Sequence, residues 1–316
     1  MAVLLILIGG YVISSLLLFK FPQLVHRKKS LKFRCRHISH RGGAGENLEN
    51  TITAFEHAVM QNSDMLEIDL QLTKDGQVVV SHDNNLLRST GKDVNISDVN
   101  YEELPLLKPV LPVDFAGGNV CRGNEDRKIP LLKDVFQKFQ NVPINIDIKN
   151  NNELLIKKVN QLIKQYNREN ITVWGNFSNE ITKKCYEENP NIPLLFSAKR
   201  VIYLLFLTYV GLLPFVPLKE SCLEILLPRV VYRNPNLVSS FKSRQKLDWF
   251  LWLMDKLLMR KELFEHLEKR GIQTYLWVIN EDEDFQNAFN LGVTGVMTDY
   301  PTRLKEYLQK TQSGNS

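Results

Sequence analysis

Two carboxylates and two histidines occur in a pattern that suits chemistry on a phosphate ester. Glu67 and Asp69 stand two apart in Met-Leu-Glu-Ile-Asp-Leu, a run that predicts a β-strand. Because side chains alternate along a strand, both acids point to the same side, where they repel each other unless a cation lies between them. His40 and His82 each end another strand-like run. Two histidines beside a divalent-metal site indicate acid/base catalysis on a phosphate ester.

These side chains need a scaffold, and the chain predicts one by alternating strand-like with helix-like segments. The predicted strands are 37–41, 65–72, 144–148, 171–175, 193–198, 222–227, 274–279 and 295–298. The predicted helices are 50–61, 131–139, 153–166, 180–188, 260–270 and 282–291. Such alternation implies a parallel sheet, and eight strands suit an α/β fold of the (β/α)8 TIM-barrel type. A doubly wound open sheet is the alternative.

In a barrel of this type, reactive side chains gather at the carboxyl ends of the strands. His40 and Arg41 close strand one, Asp147 and Lys149 lie at the end of strand three, and Asp299 follows strand eight. Asp147 adds a third carboxylate to the pair on strand two. Arg41 and Lys149 would then make the mouth positive enough for a phosphodiester anion. Each residue alone has a plain structural explanation, so it is their joint placement that indicates a site.

Two segments interrupt the alternation. Residues 77–127 read as an insertion after strand two, and residues 201–217 are continuously apolar where a fifth amphipathic helix is expected. Seventeen residues are marginal for a second membrane span, and a crossing would separate strands six to eight from the barrel. We therefore expect a hydrophobic loop or short helix that dips into the membrane and guides an acyl chain, with Phe250, Trp252 and Leu253 extending its surface. A buried barrel helix is the alternative.

The amino terminus predicts a membrane anchor. Residues 2–19 carry no charged side chain and would span about 27 Å as a helix, close to the hydrocarbon thickness of a bilayer. A cleaved signal peptide is the competing interpretation, but the basic start and small-residue cleavage site are missing. The basic residues that follow predict a cytosolic catalytic domain. We expect an integral membrane protein of the endoplasmic reticulum or perinuclear membranes.

The predicted organisation follows from these boundaries. It comprises a transmembrane anchor (1–20), a basic linker (21–36), the barrel (37–308) with a membrane-contacting segment (199–218), and a tail (309–316). Seven of the Lys and Arg residues lie in 20–36 without an acid, so the net charge of +5 is local and no nucleic-acid partner is expected. Nor is an obligate protein partner evident. The four scattered cysteines favour free thiols.

Several motifs together resemble the glycerophosphodiester phosphodiesterase family, and specifically its membrane-anchored lysophospholipase D branch. The resemblance covers about residues 37 to 308. Two positions differ from many members, Leu48 in place of proline and Asp147 in place of glutamate. The motifs are His40-Arg41-Gly42, Glu49-Asn50-Thr51, Glu67-Ile68-Asp69, Thr73-Lys74-Asp75, His82-Asp83, Trp277-Val278-Ile279-Asn280 and Thr298-Asp299-Tyr300-Pro301.

The resemblance implies roles for particular residues. His40 and His82 would form the general acid/base pair, although His82 is also open to metal ligation. The expected cofactor is a divalent ion, Mg²⁺ or Ca²⁺, held by Glu67, Asp69 and Asp147. The shorter Asp147 would reach it through water or change which metal fits. The expected phosphate- and substrate-binding residues are Arg41, Lys149 and Trp277.

The implied activity is metal-dependent hydrolysis of lysophospholipids, which would be the membrane-borne substrate partners. Lysophosphatidylcholine or lyso-N-acylethanolamine phospholipids would yield lysophosphatidic acid and choline or an N-acylethanolamine. The nucleophile is either water or the free glycerol hydroxyl of the substrate, which would give a cyclic phosphate. A phosphodiesterase for water-soluble glycerophosphodiesters and a catalytically silent lipid-binding protein are the alternatives. A phospholipase C-like or sphingomyelinase D-like barrel is a further alternative on fold grounds.

Overall fold

The structure, a computed structural model, describes residues 1–123, 126–231, 238 and 243–313. Its strands are β1 (His37–Ser39), β2 (Met65–Leu72), β3 (Val78–Val80), β4 (Val110–Pro112), β5 (Val120–Arg122), β6 (Ile144–Ile148), β7 (Thr172–Gly175), β8 (Cys222–Leu226), β9 (Gln273–Trp277) and β10 (Gly295–Thr298). Its helices are α1 (Ala2–Lys20), α2 (Ile52–Met60), α3 (Leu87–Thr90), α4 (Leu132–Lys138), α5 (Glu153–Gln165), α6 (Asn179–Glu188), α7 (Ala198–Tyr209), α8 (Pro228–Val231), α9 (Arg244–Leu258), α10 (Lys261–Lys269), α11 (Asp282–Asn290) and α12 (Pro301–Ser313). The predicted tail thus begins inside α12, and its residues 314–316 lie outside the described part of the chain.

The wall of the barrel consists of parallel strands in the order β7-β6-β2-β1-β10-β9-β8. Two residues of the predicted fifth strand close the gap between β7 and β8, because Leu194 bridges to Trp174 and Leu195 bridges to Cys222. The prediction of a (β/α)8 barrel is therefore confirmed. The predicted strand over 193–198 is wrong in extent, since α7 already begins at Ala198 and turns the chain out of the wall.

The predicted helices are present, and their ends differ from the predicted ends by at most two residues. Local capping explains one of these boundaries. The Thr51 hydroxyl accepts a hydrogen bond from the backbone N–H of Ala54 at 3.2 Å, which satisfies a donor in the first turn of α2. The helix predicted from residue 50 therefore begins two residues later, at Ile52.

The interior of the barrel has an apolar floor below a polar mouth. Met65 on β2, Cys222 on β8 and Tyr275 on β9 are fully buried and pack together inside the strands. Phe33 and Cys35, which precede β1, belong to the same cluster. Because successive side chains alternate, residues two and four positions beyond these on each strand also face the interior, nearer the carboxyl end. All four cysteines are buried and free, which confirms the prediction of unpaired thiols.

The insertion predicted over 77–127 covers part of the mouth. Its first strand, β3, pairs antiparallel with β2, and β4 and β5 form a separate antiparallel hairpin. His82 follows β3, and Phe115 lies in the connection between β4 and β5. Both side chains reach the cavity at the carboxyl ends of the barrel strands. Residues 124 and 125 of the insertion lie outside the described part.

The amino-terminal helix α1 is long and apolar enough to cross a membrane, judged by length and composition. Its contacts with the barrel involve the turn that follows α7. The Ser15 hydroxyl donates to the carbonyl of Gly211 at 2.7 Å, and the rings of Tyr11 and Phe215 stack with centroids 6.2 Å apart. Gly211 has a φ of +75°, and a Cβ there would lie 2.9 Å from the Ser15 hydroxyl. Only glycine allows this close approach without strain.

The segment after α1 runs across the amino-terminal end of the barrel. The backbone N–H of Lys29 donates to the carbonyl of Arg270 at 3.0 Å, three residues before β9 begins at Gln273. The ammonium group of Lys29 donates to the carbonyls of Lys219 and Glu220, both at 2.7 Å, and these two residues lie shortly before β8. The segment after α1 is therefore attached at the end of the barrel opposite the carboxyl ends of the strands.

The apolar segment 201–217 forms most of α7 and a short 3₁₀ turn, Leu213–Phe215. It is neither fully buried nor a loop. Leu204 and Leu207 pack into the barrel, whereas Ile202 and Phe206 are exposed by 69% and 57%. The segment is therefore an outer barrel helix that presents a second, apolar face to its surroundings.

Candidate active site

Three carboxylates come together at the carboxyl ends of β2 and β6. Asp69 and Asp147 are direct partners in the parallel pairing of the two strands, and Glu67 is the partner of Asn145. Glu67 and Asp69 are almost completely buried. Burial and the negative charges of Asp69 and Asp147 raise the pKa of Glu67 well above its ordinary value. The predicted acids therefore repel each other in a site that is poorly solvated.

Lys149 lies between two of these acids. Its ammonium nitrogen is 3.2 Å from Oδ1 of Asp69 and 2.9 Å from Oδ2 of Asp147. Burial alone would raise the pKa of Asp69, but the charges of Lys149 and Arg41 outweigh it and lower that pKa far below its usual range. The Lys149 side chain remains 19% exposed, so it is accessible to an anion in the cavity.

Arg41 is more deeply buried than Lys149. Its guanidinium lies 3.1 Å from Glu49, 3.4 Å from Asp69 and 2.9 Å from Asp114, and its side chain is only 4% exposed. Burial acts against the charge, yet these acids raise the pKa of Arg41 well above its ordinary value. Its backbone N–H also donates to Oε2 of Glu67 at 2.8 Å. The charge of Arg41 therefore partly neutralises the buried acids, and Lys149 is the more accessible of the two cations.

His40 is oriented by a chain of buried hydrogen bonds. A 3₁₀ turn, His40–Gly42, ends β1 and turns the imidazole toward the mouth. Its Nδ1 lies 2.7 Å from Oδ1 of Asp299. Oδ2 of Asp299 accepts from Nδ2 of Asn280 at 3.0 Å, and the backbone N–H of Asp299 donates to Oδ1 of Asn280 at 2.9 Å. The sequence placed Asp299 at a strand end without a role, and the structure shows it as the partner of His40.

His82 has a similar partner, although it is more exposed. Its Nδ1 lies 2.7 Å from Oδ1 of Asp83, whose other oxygen lies 2.5 Å from Nε of Arg88. Burial opposes the ionisation of Asp83, but its hydrogen bond with His82 and the charge of Arg88 lower its pKa to about 2. Arg88 also pairs with Glu49, which contacts Arg41. His82 is thus connected through Asp83, Arg88 and Glu49 to Arg41.

Except for Asp299, which contacts His40, the residues predicted for the site line one cavity of about 360 Å³. We call its charged residues from β1, β2, β6 and the segment after β3 the charged wall, and its apolar residues the apolar wall. The charged wall contains His40, Arg41, Glu67, Asp69, His82, Asp147 and Lys149. The apolar wall contains Phe115, Phe177, Leu195, Phe196, Trp277 and Met297. Trp277 and Phe115 meet edge to face, with ring centroids 6.0 Å apart, so the predicted substrate-binding tryptophan is part of an aromatic surface.

Three polar residues of the cavity were not predicted. Asn145 lies on β6, Asn176 follows β7, and Glu224 lies on β8. Burial, together with the charge of Asp147, raises the pKa of Glu224 to about 8. Glu224 had a detectable signal, because an acid in the middle of an otherwise apolar strand requires a partner. The asparagines carry no charge and give no comparable signal in the sequence.

The donors in the cavity fit a hard divalent cation in their chemistry. Glu67, Asp69 and Asp147 offer carboxylate oxygens, and Glu67 forms no ion pair within the described part of the chain. As they stand, no three His, Cys, Asp or Glu side chains of the described ranges converge on a single point that would hold a metal. Lys149, which bridges Asp69 and Asp147, would have to move toward an incoming anion before a cation could sit between them.

The barrel, the two oriented histidines and the acidic cluster with its accessible lysine define a hydrolase of phosphate esters. Comparison with known proteins gives the family. The family model for glycerophosphoryl diester phosphodiesterases matches residues 40–303. The chain therefore belongs to the glycerophosphoryl diester phosphodiesterase family, and it is a phosphodiesterase.

Relatives of known name support this membership. Human lysophospholipase D GDPD1 is 55% identical over 301 residues, which cover 95% of each chain. Human lysophospholipase D GDPD3 is 42% identical over 302 residues, covering 95% of this chain and 93% of its own length. The prediction of the family, in its lysophospholipase D branch, is thus confirmed.

Solved structures show the same fold. The glycerophosphodiester phosphodiesterase from Agrobacterium tumefaciens superposes with a TM-score of 0.59 at 18% identity, covering 86% of this chain and 99% of its own. The enzyme from Thermotoga maritima superposes with a TM-score of 0.58 at 22% identity, covering 86% and 97%. At these identities the similarity establishes the barrel fold.

Proposed function

We propose that this protein is a lysophospholipase D, which hydrolyses lysophosphatidylcholine and lyso-N-acylethanolamine phospholipids to lysophosphatidic acid and choline or an N-acylethanolamine. The observation that carries this proposal is the division of one cavity into a charged wall and an apolar wall. A phosphodiester attracted to Lys149 would place the adjoining glycerol and acyl chain against Phe115 and Trp277. The names of the human relatives support the same substrate class.

The hydrogen bonds of the two histidines support a general acid/base role. A carboxylate can only accept, so Nδ1 of His40 carries a proton toward Asp299, and Nδ1 of His82 carries one toward Asp83. This leaves Nε2 of each imidazole to accept or deliver a proton in the cavity. One histidine would take a proton from the nucleophile, and the other would protonate the departing alcohol.

The cations and acids would handle the charge of the phosphate. Lys149 would bind the phosphodiester oxygens directly, with Arg41 adding positive charge from behind the acids. Glu67, Asp69 and Asp147 would hold Mg²⁺ or Ca²⁺, which supplies Lewis-acid stabilisation of charge on the phosphate oxygens when it is bound. Water and the glycerol hydroxyl are the two candidate nucleophiles, and the product of the first step distinguishes them.

An exposed apolar surface supports delivery of the substrate from a membrane. We define the membrane-facing surface as Ile202 and Phe206 of α7 with Trp249 and Trp252 of α9, all more than half exposed. The hydroxyl of Tyr209 at the end of α7 donates to the Leu257 carbonyl of α9 at 2.9 Å, which joins the two helices. Large exposed apolar patches with interfacial aromatic residues are typical of membrane contacts.

The position of this surface connects the anchor with the cavity. At one end of α7, the turn at Gly211 contacts α1. At the other end, α7 begins two residues after Phe196, which belongs to the apolar wall. A lysolipid would therefore travel along α7 from the bilayer to the site. We further propose that α1 anchors the protein in endoplasmic reticulum or perinuclear membranes with the barrel in the cytosol, as the basic residues after α1 favour.

One assay series tests the activity. Purified full-length protein is offered lysophosphatidylcholine, diacyl phosphatidylcholine and glycerophosphocholine, each with Mg²⁺, Ca²⁺ or a chelator, and choline release is measured. We expect metal-dependent release that is fastest with the lysolipid. Faster turnover of glycerophosphocholine would identify a soluble-diester phosphodiesterase instead, and full activity with chelator would exclude the metal site. A trapped cyclic phosphate, with no turnover of the diacyl lipid, would identify the glycerol hydroxyl as nucleophile.

A second series tests the membrane-facing surface. The double variant Ile202→Gln/Phe206→Gln should lower kcat/KM for lysophosphatidylcholine in vesicles by about tenfold, the loss of roughly 1.4 kcal/mol of apolar contact. Its turnover of soluble glycerophosphocholine should not change. The control is Leu154→Gln on α5, a residue of similar exposure on a helix that follows a different strand. Equal losses on both substrates, or an equal effect of the control, would contradict the role of this surface.

A further inference from the structure

Four cations at and after the end of α1 are exposed, and the protein does not neutralise them. We call them the basic strip, which consists of Lys20, Arg27, Lys28 and Lys32. Glu268, which lines a cavity with Lys28, is already paired with Arg34 at 2.7 Å. Glu220, whose carbonyl accepts from Lys29, is paired with Arg200 at 2.6 Å. Within the part of the chain that the structure describes, none of the four cations forms an ion pair.

Contacts with the barrel hold the basic strip in a defined place. Nε2 of His26 lies 2.7 Å from the carbonyl oxygen of Pro214. Nζ of Lys269 donates to the carbonyl of Lys20 at 3.1 Å, and Phe33 is buried in the apolar floor. Because these contacts fix the backbone on both sides of the cations, the segment loses little backbone entropy when it binds a ligand.

Exposed apolar side chains lie among these cations. A short 3₁₀ turn, Pro22–Leu24, follows α1, and the side chains of Phe21, Leu24 and Val25 are exposed. Cations beside exposed aromatic and aliphatic side chains are typical of segments that lie at a membrane surface. Since α1 is long and apolar enough to cross a membrane, this segment would lie where the helix leaves the bilayer.

The excess of positive charge is confined to the same segment. Residues 20–36 contain seven Lys and Arg and no acid, and without these seven the net charge of +5 becomes −2. A negatively charged membrane surface would therefore attract this segment and not the rest of the barrel. A surface of zwitterionic lipids offers no comparable attraction. The ligand that complements the basic strip is thus an anionic lipid head group.

We propose that the basic strip binds the anionic phospholipid head groups around α1 and holds the amino-terminal end of the barrel at the bilayer surface. The ligands are head groups with a net negative charge, such as that of phosphatidylserine. This inference goes beyond the proposed hydrolysis and rests on the proposed anchoring of the chain by α1. His26 contacts the turn after α7 that also contacts α1, so the basic strip and the membrane-facing surface would meet the bilayer together.

A measurement of lipid contact tests the proposal. All four native cysteines are buried, so a fluorophore can be attached selectively to a Ser30→Cys variant, at an exposed position inside the basic strip. The labelled full-length protein is reconstituted in phosphatidylcholine vesicles with a small, equal fraction of nitroxide-labelled phosphatidylserine or nitroxide-labelled phosphatidylcholine. Quenching by the labelled phosphatidylserine should be at least about threefold stronger, because several cations attract the anionic lipid.

Neutralising the cations should abolish this difference. In the labelled protein, Arg27→Gln/Lys28→Gln/Lys32→Gln should be quenched equally by the two lipids. Its thermal midpoint in detergent should not change, because the three side chains are exposed. Salt gives the same test without a substitution. Raising its concentration from about 0.1 M to about 1 M shortens the Debye length from about 10 Å to about 3 Å, which should also make the quenching equal.

The matched control removes the same number of charges elsewhere. Lys133→Gln/Lys157→Gln/Lys164→Gln replaces three exposed lysines of α4 and α5, and it should keep the threefold difference. Equal quenching by the two lipids at low salt, or a difference that survives in the variant of the basic strip, overturns the proposal. Quenching by neither lipid would overturn the anchoring by α1 as well. Choline release from lysophosphatidylcholine tests the proposed hydrolysis separately from all these outcomes.

Discussion

Replacing Asp299 with asparagine should disable His40 without unfolding the barrel. Oδ2 of Asp299 accepts from Asn280, whose own oxygen is occupied by the backbone N–H of Asp299 and by the hydroxyl of Thr298. Asn280 therefore cannot reverse its amide. An asparagine at 299 must turn its oxygen to Asn280 and its NH₂ group to Nδ1 of His40. Nδ1 then has to accept, and the imidazole proton moves to Nε2, the nitrogen needed as the base in the cavity.

The expected loss follows from the role of that nitrogen. General acid/base catalysis contributes typically 10²- to 10⁴-fold, so kcat should fall by about that factor, or about 3–5 kcal/mol in activation free energy. KM should change little, because Asp299 is 1% exposed and contacts the histidine rather than the cavity. Replacing a buried carboxylate by an amide of the same shape should leave the thermal midpoint close to that of the unmodified enzyme.

Choline release from lysophosphatidylcholine by the purified full-length variant is the assay. Asp98→Asn, on the surface of the insertion, is the control for the loss of one negative charge. A folded Asp299→Asn variant whose kcat is within threefold of the unmodified enzyme would refute the tautomer argument. An increase in KM at constant kcat would instead place Asp299 in substrate binding.

Three further predictions concern the anchor, the barrel interior and the apolar wall. Gly211→Ala should lower the thermal midpoint in detergent more than Gly118→Ala does, because both glycines have a positive φ but only Gly211 contacts α1. The difference between the two losses in thermal midpoint should disappear when residues 1–20 are removed. Burial and the nearby Lys305 lower the pKa of His37 to about 4, whereas the unfolded chain titrates near 6.5. The unfolded state therefore binds more protons between these values, and urea unfolding should show stability falling by up to about 3 kcal/mol as pH drops from 6.5 to 4; a His37→Gln variant with the same slope would contradict this. Trp277→Ala should raise KM for lysophosphatidylcholine several-fold more than KM for glycerophosphocholine. Equal changes in the two KM values would show that Trp277 does not bind the acyl chain.

The sequence predicted the charged wall well because strand periodicity determines which side chains share a face. Glu67 and Asp69 stand two apart on β2, so both had to face the same side, and barrel topology then brought Asp147 beside them. The helix boundaries could be predicted equally well, since caps such as Thr51 act over a few residues. These features depend on local spacing, which a single sequence contains.

What was missed depends on contacts between distant segments. The pairing of His40 with Asp299 joins residues 259 apart, and that of Asn145 with Glu224 joins residues 79 apart. Neither follows from spacing, because both require the closed barrel. The predicted fifth strand was too long for a related reason: its apolar composition did not show where α7 would begin. Roles of the predicted site residues remain predictions until the variants above are measured.

The attachment of the segment after α1 also determines how the protein can be shortened. Lys29 is bound to the backbone before β8 and β9, and Phe33 and Cys35 pack into the apolar floor. A shortened form of the enzyme should therefore keep Lys29, and also His26, whose Nε2 lies 2.7 Å from the carbonyl oxygen of Pro214. A start at the first strand would open the floor beneath Met65 and expose it to water. Proteolysis just after α1 would therefore separate this helix from a barrel whose floor is intact, whereas cleavage beyond Cys35 would remove part of that floor.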